Sequence, residues 1–573
     1  MSNKSAQKET SQHLGQWSAQ DLMFVPLGGS GEIGMNANLF HYQDQWLMVD
    51  LGISFPDETM PGIDVVLPDL SFIEKRRKSL AGLVITHGHE DHLGAIPYLW
   101  ERLKCPIFAT PFTLALVRAK LRENLPDAKV ELIALPFNAP VDIGSFSVEM
   151  ISLTHSIPDP AGLVLRAGGK TIFHTGDWKF DEDPLLGPVS DQNALKALGD
   201  AGVDVMIGDS TNAMVEGRTG SEADARDGLI KEIKKATGRV AVTCFASNVA
   251  RVNTLVHAAK ATGRSPILIG RALHRITEAA RSCGYLQDWP DLLSEDDYDL
   301  VPRENVLMIC TGSQGEPRSA MSRIASGSHH SISLDKGDTV MFSSRQIPGN
   351  EPAIAKVQDN LIRRGIHVVT DDDAPIHVSG HPARDEMAEM YQLIRPQLAI
   401  PVHGTARHLK AHAALAKSCQ VPATLIPNNG DMIVLNDGEA AMIGTAETGL
   451  QTFEGGEVIS IDSDTMRDRR RMLWNGSVTA SVVLSLSGDL CLAPQISQSG
   501  LSEGYRADDY LAEASIRIED AILGLSDEKV LDDQRVTEVC AQALRGLAKS
   551  MFKRRPMVQV HVLRVDALSV TGE

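Results

Sequence analysis

The sequence predicts an α/β protein of several domains, on three observations. Short apolar runs that stop at His, Asp or Gly recur through residues 22–207, as buried strands do when their ends carry a site. Residues 208–373 alternate strand and helix, the order of a parallel sheet. Residues 472–573 read as strand, strand, helix, helix, strand, a small α+β unit. At 573 residues the chain exceeds a single hydrophobic core, and 43% hydrophobic content suffices for two to four domains.

In the first segment the strands are WLMVDLG (46–52), GLVITHGH (82–89), SFSVEMISLTH (145–155) and KTIFHTGD (170–177), with helices around 94–104 and 112–123. The second holds RVAVTCFAS (239–247), a helix near 249–262, PILIG (266–270) and a helix near 272–283. HVSGHP (377–382) and LAIPVHG (398–404) read as strands ending in histidines again, so the chain is expected to return to its first domain. A Gly- and Asp-rich stretch at 454–466, followed by RDRRR (467–471), reads as a linker. The tail places helices at about 508–523 and 530–553 before the strand MVQVHVLRV (557–565). The expected domains are 20–208, an insert at 209–373, a re-entrant part at 374–453, a linker at 454–471 and a terminal domain at 472–573.

The first twenty residues are polar, without the apolar segment of a secretory signal, and no run of eighteen apolar residues occurs, so the expected address is the cytoplasm with no membrane partner. Seven cysteines, never spaced CxxC, argue against a disulfide framework and a zinc ribbon. Any metal must therefore be held by His and Asp. The net charge of −19 runs against nucleic-acid binding over the whole surface, leaving a local basic groove or bound cations to attract a polyanion.

The most specific signal is THGHEDHLG (86–94), where His87, His89, Asp91 and His92 set four ligand side chains within six residues directly after a strand. A lone histidine is more often a satisfied core or surface residue; four such groups together are not. Alternation along an extended turn points His87 and His89 to one cation and Asp91 and His92 to a neighbour, as two divalent ions about 3.5–4 Å apart require. His155 in SLTHSIPD and Asp177 in FHTGDWKFD, both at strand ends, complete a binuclear site with Asp177 as the bridging carboxylate. Asp50, at the end of WLMVD, is expected to support the HxHxDH turn by a hydrogen bond; a plain turn Asp is the alternative.

Asp50, the HxHxDH run, His155 and Asp177 resemble the sequential motifs of the metallo-β-lactamase superfamily, which implies an α/β fold, the four-layer αβ/βα sandwich with metals at one edge. The insert and re-entry resemble the β-CASP group of nucleic-acid-processing enzymes: Asp209 in IGDSTN, His381 in HVSGHP and His403 in PVHG match its motifs A, B and C. A histidine at motif C is the form associated with RNA. PLGGSGEIGMN (26–36), GDSTN (208–212), FASNVARV (245–252), TGSQGEPRSAMSRIA (311–325), SSRQIPGNE (343–351) and PVHGTARHL (401–409) resemble the ribonuclease J family over roughly 22–450, and the small C-terminal α+β domain resembles it less specifically. Two departures touch no ligand: Ala250 stands where a histidine is common, and Arg345 and Gln346 lie in a stretch expected to vary.

The resemblance implies two divalent ions per subunit, Zn²⁺ first and Mn²⁺ as the other candidate, with His87, His89 and His155 on one, Asp91, His92 and His403 on the second, and Asp177 across both. His381 becomes the proton donor to the leaving oxygen, with Asp209 fixing its tautomer. The loop His377, Val378, Ser379, Gly380 and His381, with Ser247 and Asn248 and the TGSQG turn (311–315) beside it, suits a terminal phosphate. The implied activity is 5′-to-3′ digestion of single-stranded RNA from 5′-monophosphate ends, with internal cleavage as a second mode, in rRNA maturation and mRNA decay. A homodimer or homotetramer and RNA-decay or ribosome-associated partners are implied. The basic runs EKRRK (74–78), RDRRR (467–471) and FKRR (552–555) either line an RNA path or are solvated faces. The competing readings are another β-CASP nuclease acting on DNA or on mixed substrates, a different enzyme of the superfamily, and a non-catalytic RNA-binding scaffold.

Overall fold

Alternation along the strands of the first segment assigns each to a sheet covered on both faces. In Val205–Asp209, Val205 and Ile207 point into one apolar core while Met206 points into another. The same split separates Leu163 and Leu165 from Val164, and Ile400 from Ala399. The computed structural model describes residues 16–57, 59–347, 349–436 and 440–566. They fall into two units, one of residues up to 55 with 65–450, the other of 56–64 with 451 onward.

The larger unit contains two mixed sheets packed face to face. One has eight strands in the order Ala441–Thr445, Asp431–Val434, Met23–Gly28, Ala37–Tyr42, Gln45–Val49, Leu80–Val84, Ile107–Ala109 and Leu132–Ala134. The other has seven, in the order Ala423–Thr424, Leu398–Val402, Val205–Asp209, Lys170–His174, Ala161–Ala167, Phe146–Ser152 and Val141–Ile143. Phe24, Phe40, Val49 and Val84 from the first meet Phe146, Met150, Leu163 and Ile207 from the second in a shared core. Gln192–Ala201, Arg384–Ile394 and Ala406–Ser418 bury Leu195, Met390, Ile394 and Ala416 on the outer face of the seven-stranded sheet. This is the metallo-β-lactamase sandwich that the motifs implied.

After the intervening segment the chain returns to the seven-stranded sheet. Val205–Asp209 pairs in parallel with Leu398–Val402, and Asp209 stands opposite Val402. Two side chains almost two hundred positions apart, Asp209 and His403, are thereby set at neighbouring strand ends. The chain between them builds a separate five-stranded sheet, all parallel, in the order Ser265–Ile269, Val306–Cys310, Val240–Thr243, Thr339–Phe342 and His367–Val369. Its inner strands VLMIC, VAVT and TVMF are buried throughout, the pattern of a sheet covered on both faces. Parallel order gathers the loops after the strands, 244–248, 311–315 and 343–347, at one end of the sheet.

Two expectations need correction. HVSGHP is a loop, not a strand, because its carbonyls are drawn to side chains: Gly380 O accepts from His155, and His381 O from Asn212 and Thr219. Residues 454–471, expected as a linker, are structured. Leu450–Glu454 and Glu457–Ser460 form a hairpin, and a helix, Asp464–Asn475, follows it with Ser463 as its cap. The arginines of RDRRR lie on that helix, where Arg467 pairs with Asp464, Arg469 with Glu454 and Arg471 with Asp468.

The smaller unit has the order expected for the tail. Ser477–Ser485 lies between Leu490–Ser499, antiparallel, and Met557–Val565, parallel. Tyr505–Leu523 and Asp533–Phe552 cover one face, burying Tyr510, Ala514, Ile518, Val536 and Leu544 against Val478, Val482 and Leu484. The segments 437–439 and 567–573 of the expected domains lie outside the described residues. Among the described residues no helix is long and apolar enough to cross a membrane.

Candidate active site

The strand ends converge on Asp177, whose carboxylate is 3% exposed. Gln45–Val49 and Leu80–Val84 run in parallel with Val49 opposite Val84, so Asp50 arrives beside Thr86. Asp50 takes a left-handed backbone, φ 63°, and its carboxylate accepts from Thr86 N (2.8 Å), Thr86 Oγ1 (2.9 Å) and His92 Nδ1 (2.7 Å). Asp50 thereby ties Thr86 to His92 across the HxHxDH turn. Gly52 is required here, since a Cβ on it would meet Asp91 O at 1.7 Å.

Three groups of potential ligands contain Asp177, one of them joining it to Asp209, His381 and His403; the other two are built of the expected ligands. In the first, His89 Nδ1 lies 3.1 Å from His87 Nε2 and 3.0 Å from His155 Nε2, with Asp177 Oδ2 at 3.8 and 3.9 Å from those Nε2 atoms. In the second, Asp177 Oδ2 is 3.2 Å from His92 Nε2 and 3.3 Å from His403 Nε2, and Asp91 Oδ2 is 3.7 and 3.6 Å from the same atoms. The ligand atoms of each set lie within 4.8 Å of one another. Each set draws on the HxHxDH turn, His87 and His89 in the first and Asp91 and His92 in the second.

Electrostatics separates the clusters. Burial and the surrounding imidazoles push His87 and His89 well below the ordinary histidine range, and His155 to about 3, so these rings are neutral. For His92 burial opposes charge, but Asp177, Asp50 and Asp91 outweigh it and hold the pKa well above its usual value. His403 is raised in the same way, burial being outweighed chiefly by Asp177. Asp177 itself is held well below the carboxylate range by His403, His92 and His381 against its burial.

A divalent ion fits this donor set. The His155 Nδ1–H donates to Gly380 O (2.5 Å) and the His92 Nδ1–H to Asp50, so both Nε2 atoms face the cluster, that of His155 with its lone pair and that of His92 with a proton an ion would displace. Ring nitrogens 3.0–3.1 Å apart either share a proton or close round a cation. Ligand nitrogens at the Zn–N length span tetrahedral edges of about 3.3 Å, close to that spacing. His403 Nε2 is buried 3.3 Å from Asp177 Oδ2, with no hydrogen bond of good geometry among the described residues. Imidazole with carboxylate, and no thiolate, is a donor set for Zn²⁺ or Mn²⁺.

His381 stands at the more exposed side of the cluster. Its Nδ1 donates to Asp209 Oδ2 at 2.8 Å, and its side chain is 21% exposed where His87, His92, His155 and His403 are at most 3%. Burial disfavours its charge, but Asp209 and Asp177 outweigh it and hold the ring at about 9. Asp209 is oriented by the backbone N–H of Thr211 (2.8 Å) and kept low by His381 against burial.

The loop 377–381 is braced from below. Asn212 Nδ2 donates to Ser379 Oγ (2.9 Å) and His381 O (3.0 Å), and Thr219 Oγ1 donates to His381 O (2.8 Å). Val378 packs over Gly220, and Gly380 lies so close to His155 that a Cβ would meet its Cε1 at 2.6 Å. His377 lies against the fully buried Arg251, Nδ1 to Nη1 3.2 Å, and burial together with Arg251, Arg345 and Lys179 keeps its ring neutral. Arg251 is paired with buried Glu222 (3.0 Å) and donates to Ile376 O (3.1 Å). Ser247 is half-buried, and Asn248 is occupied in a way not expected: its Oδ1 caps Val249–Ala261 by accepting from Arg251 N (2.8 Å).

Three contributors escaped the sequence reading. Asn36 Nδ2 donates to Asp91 O (3.1 Å) and sits 3.1 Å from both His92 Nε2 and His403 Nδ1. Asn212 and the Arg251–Glu222 pair hold the loop. Asn212 lies within GDSTN and Arg251 within FASNVARV, so their strings were noticed while their partners could not be.

Comparison with known proteins identifies the family. The chain matches the family models described as the beta-lactamase superfamily domain over residues 56–207, the ribonuclease J beta-CASP domain over 237–361, the Zn-dependent metallo-hydrolase RNA specificity domain over 373–423 and the ribonuclease J C-terminal domain over 464–565. It is 38% identical over 566 residues to ribonuclease J of Sinorhizobium meliloti, covering 97% of this chain and all of that one. It is 38% identical over 550 residues to ribonuclease J of Mycobacterium tuberculosis, covering 95% and 97%. A solved structure from Enterococcus faecalis, of a protein of unknown function, superposes with TM-score 0.51 at 17% identity over 72% of this chain and all of its own, a likeness of fold alone. The domain set is that of a metal-dependent ribonuclease, and the chain belongs to the ribonuclease J family.

Proposed function

We propose that this ribonuclease digests single-stranded RNA 5′ to 3′ from 5′-monophosphate ends, with internal cleavage as a second mode, using two divalent ions, Zn²⁺ or Mn²⁺. The observation that carries the reading is the adjacency of two parts. The shared His and Asp clusters abut the braced loop 377–381 through the His155 Nδ1–H to Gly380 O hydrogen bond.

His87, His89 and His155 would hold one ion, Asp91, His92 and His403 the other, and Asp177 both. When bound, such a pair supplies hydroxide near neutral pH and positive charge against a phosphodiester. His381 retains its proton at neutral pH and, with Nδ1 tied to Asp209, has Nε2–H free to donate to the leaving oxygen. Asp209 fixes that tautomer and stays charged throughout. Ser379 and the backbone of 377–381 receive the strand's terminal phosphate, with Ser247, Asn248 and residues 311–315 beside them. The proposed setting is cytoplasmic rRNA maturation and mRNA decay, as a homodimer or homotetramer alongside RNA-decay or ribosome-associated proteins.

The test is incubation of purified protein with Mn²⁺ or Zn²⁺ and three substrates: 5′-monophosphorylated RNA, 5′-triphosphorylated RNA and single-stranded DNA. Rapid release of mononucleotides from the first is expected. Equal digestion of the DNA removes the RNA assignment, and equal digestion of both RNAs removes the end preference.

A further inference from the structure

Arg345 stands at the end of the parallel sheet where the loops gather, just after Thr339–Phe342 and Ser343–Ser344. Its neighbours fix its position: Gln314 Nε2 donates to Arg345 O (2.8 Å), and Arg345 Nη1 donates to Asn212 Oδ1 (3.0 Å). Asn212 is the residue that braces Ser379 and His381 from its other amide atom. The guanidinium therefore shares a bracket with the loop 377–381, and its charge reaches His377. It remains exposed. Asp371 feels its charge, yet among the described residues no carboxylate pairs with it. Exposed Arg218 and Arg395 by contrast are each paired with a carboxylate. An anchored guanidinium left open beside a loop of N–H and O–H donors matches a phosphate, whose oxygens take the fork of arginine in a bidentate manner.

We infer that Arg345 binds a phosphate of the RNA strand held by residues 377–381, using the N–H donors that Asn212 leaves free. The inference rests on the proposed RNA-hydrolase reading and adds a specificity residue to it. One hydrogen bond to Asn212 presets the side chain, so little rotamer freedom is lost when the strand arrives.

The experiment compares wild type, R345A and R345K in the metal-loaded full chain, measuring kcat and KM at several salt concentrations. The substrates are matched oligoribonucleotides with a 5′ phosphate or a 5′ hydroxyl. For R345A, KM on the phosphorylated strand should rise about tenfold to a hundredfold, the loss of a hydrogen bond between charged groups. The slope of log(kcat/KM) against log[salt] should fall by about 0.7, one phosphate contact on a single strand. R345K keeps the charge and loses the fork, so it should keep the slope with an intermediate KM. A penalty confined to the phosphorylated strand assigns the end phosphate to Arg345; an equal penalty on both assigns an internal one. An unchanged KM and slope in R345A overturns the inference. So does a fall in kcat alone, which would make Arg345 a brace for the loop through Asn212. Failure of the wild type to cut either RNA would instead defeat the underlying functional reading.

Discussion

Replacing Asp50 by Asn isolates the tautomer of His92. Asparagine tolerates the left-handed backbone at this position and has the shape of aspartate, so the strand end is preserved. Its carbonyl oxygen can still accept from Thr86 N, now 2.8 Å from Oδ1. Its NH₂ then faces His92 Nδ1, which today donates to Oδ2 at 2.7 Å. A donor opposite a donor is unfavourable, so the remaining proton of His92 moves to Nε2, the atom directed at Asp177 and Asp91. To bind an ion, His92 must return that proton to Nδ1 and forfeit a hydrogen bond to a charged group, about 1.5–3 kcal/mol. Affinity for the ion at Asp91, His92 and His403 should therefore fall about tenfold to a hundredfold, the usual penalty for losing a ligand's supporting partner. The assay is competition for Zn²⁺ or Mn²⁺ against a chromophoric chelator, with far-UV circular dichroism to verify the fold. A folded variant with affinity within about twofold of wild type would refute the tautomer argument.

Asp177→Ala removes the oxygen common to both clusters; RNA hydrolysis should become undetectable and metal stoichiometry by elemental analysis should drop, whereas retained turnover would contradict the shared role of the carboxylate. Gly380→Ala puts a methyl 2.6 Å from His155 Cε1, so both metal affinity and KM for RNA should worsen together; a change in only one of them would argue that loop and cluster are independent. Glu222→Gln leaves the buried Arg251 without its carboxylate and should destabilise the larger unit by about 3–5 kcal/mol in denaturant titrations. Combining it with Arg251→Met should restore part of that loss, and a double variant no better than the single would show that the pair is not what matters.

The core of the site was legible because HxHxDH packs its ligand types into consecutive residues, so one extended turn fixes their directions without any knowledge of the fold. Asp50, His155 and Asp177 were legible for a related reason: each ends an apolar run, and buried strands of one sheet bring their ends to a common edge. The bracing residues were not, since a hydrogen bond between Asn212 and Ser379 depends on the parallel pairing of Val205–Asp209 with Leu398–Val402 and leaves no local periodicity. HVSGHP looked like a strand because it is short and partly apolar. What decides its conformation is the set of side chains that claim its carbonyls, and those come from distant segments. The stretch 454–471 misled through composition alone: glycine and aspartate suggest a spacer, yet Gly455 and Gly456 turn a hairpin and Ser463 starts a helix.

The short contact between His155 and the Gly380 carbonyl makes the proposed cation sites and the proposed strand-binding loop thermodynamic neighbours. Whatever factor an ion adds to the affinity for RNA must be returned as an equal factor in the affinity for that ion once RNA is bound, because both routes around the binding cycle end in the same ternary state. A nuclease arranged in this way is most vulnerable to chelation when idle and most resistant while threaded, so scarcity of metal would silence unengaged copies before those already at work.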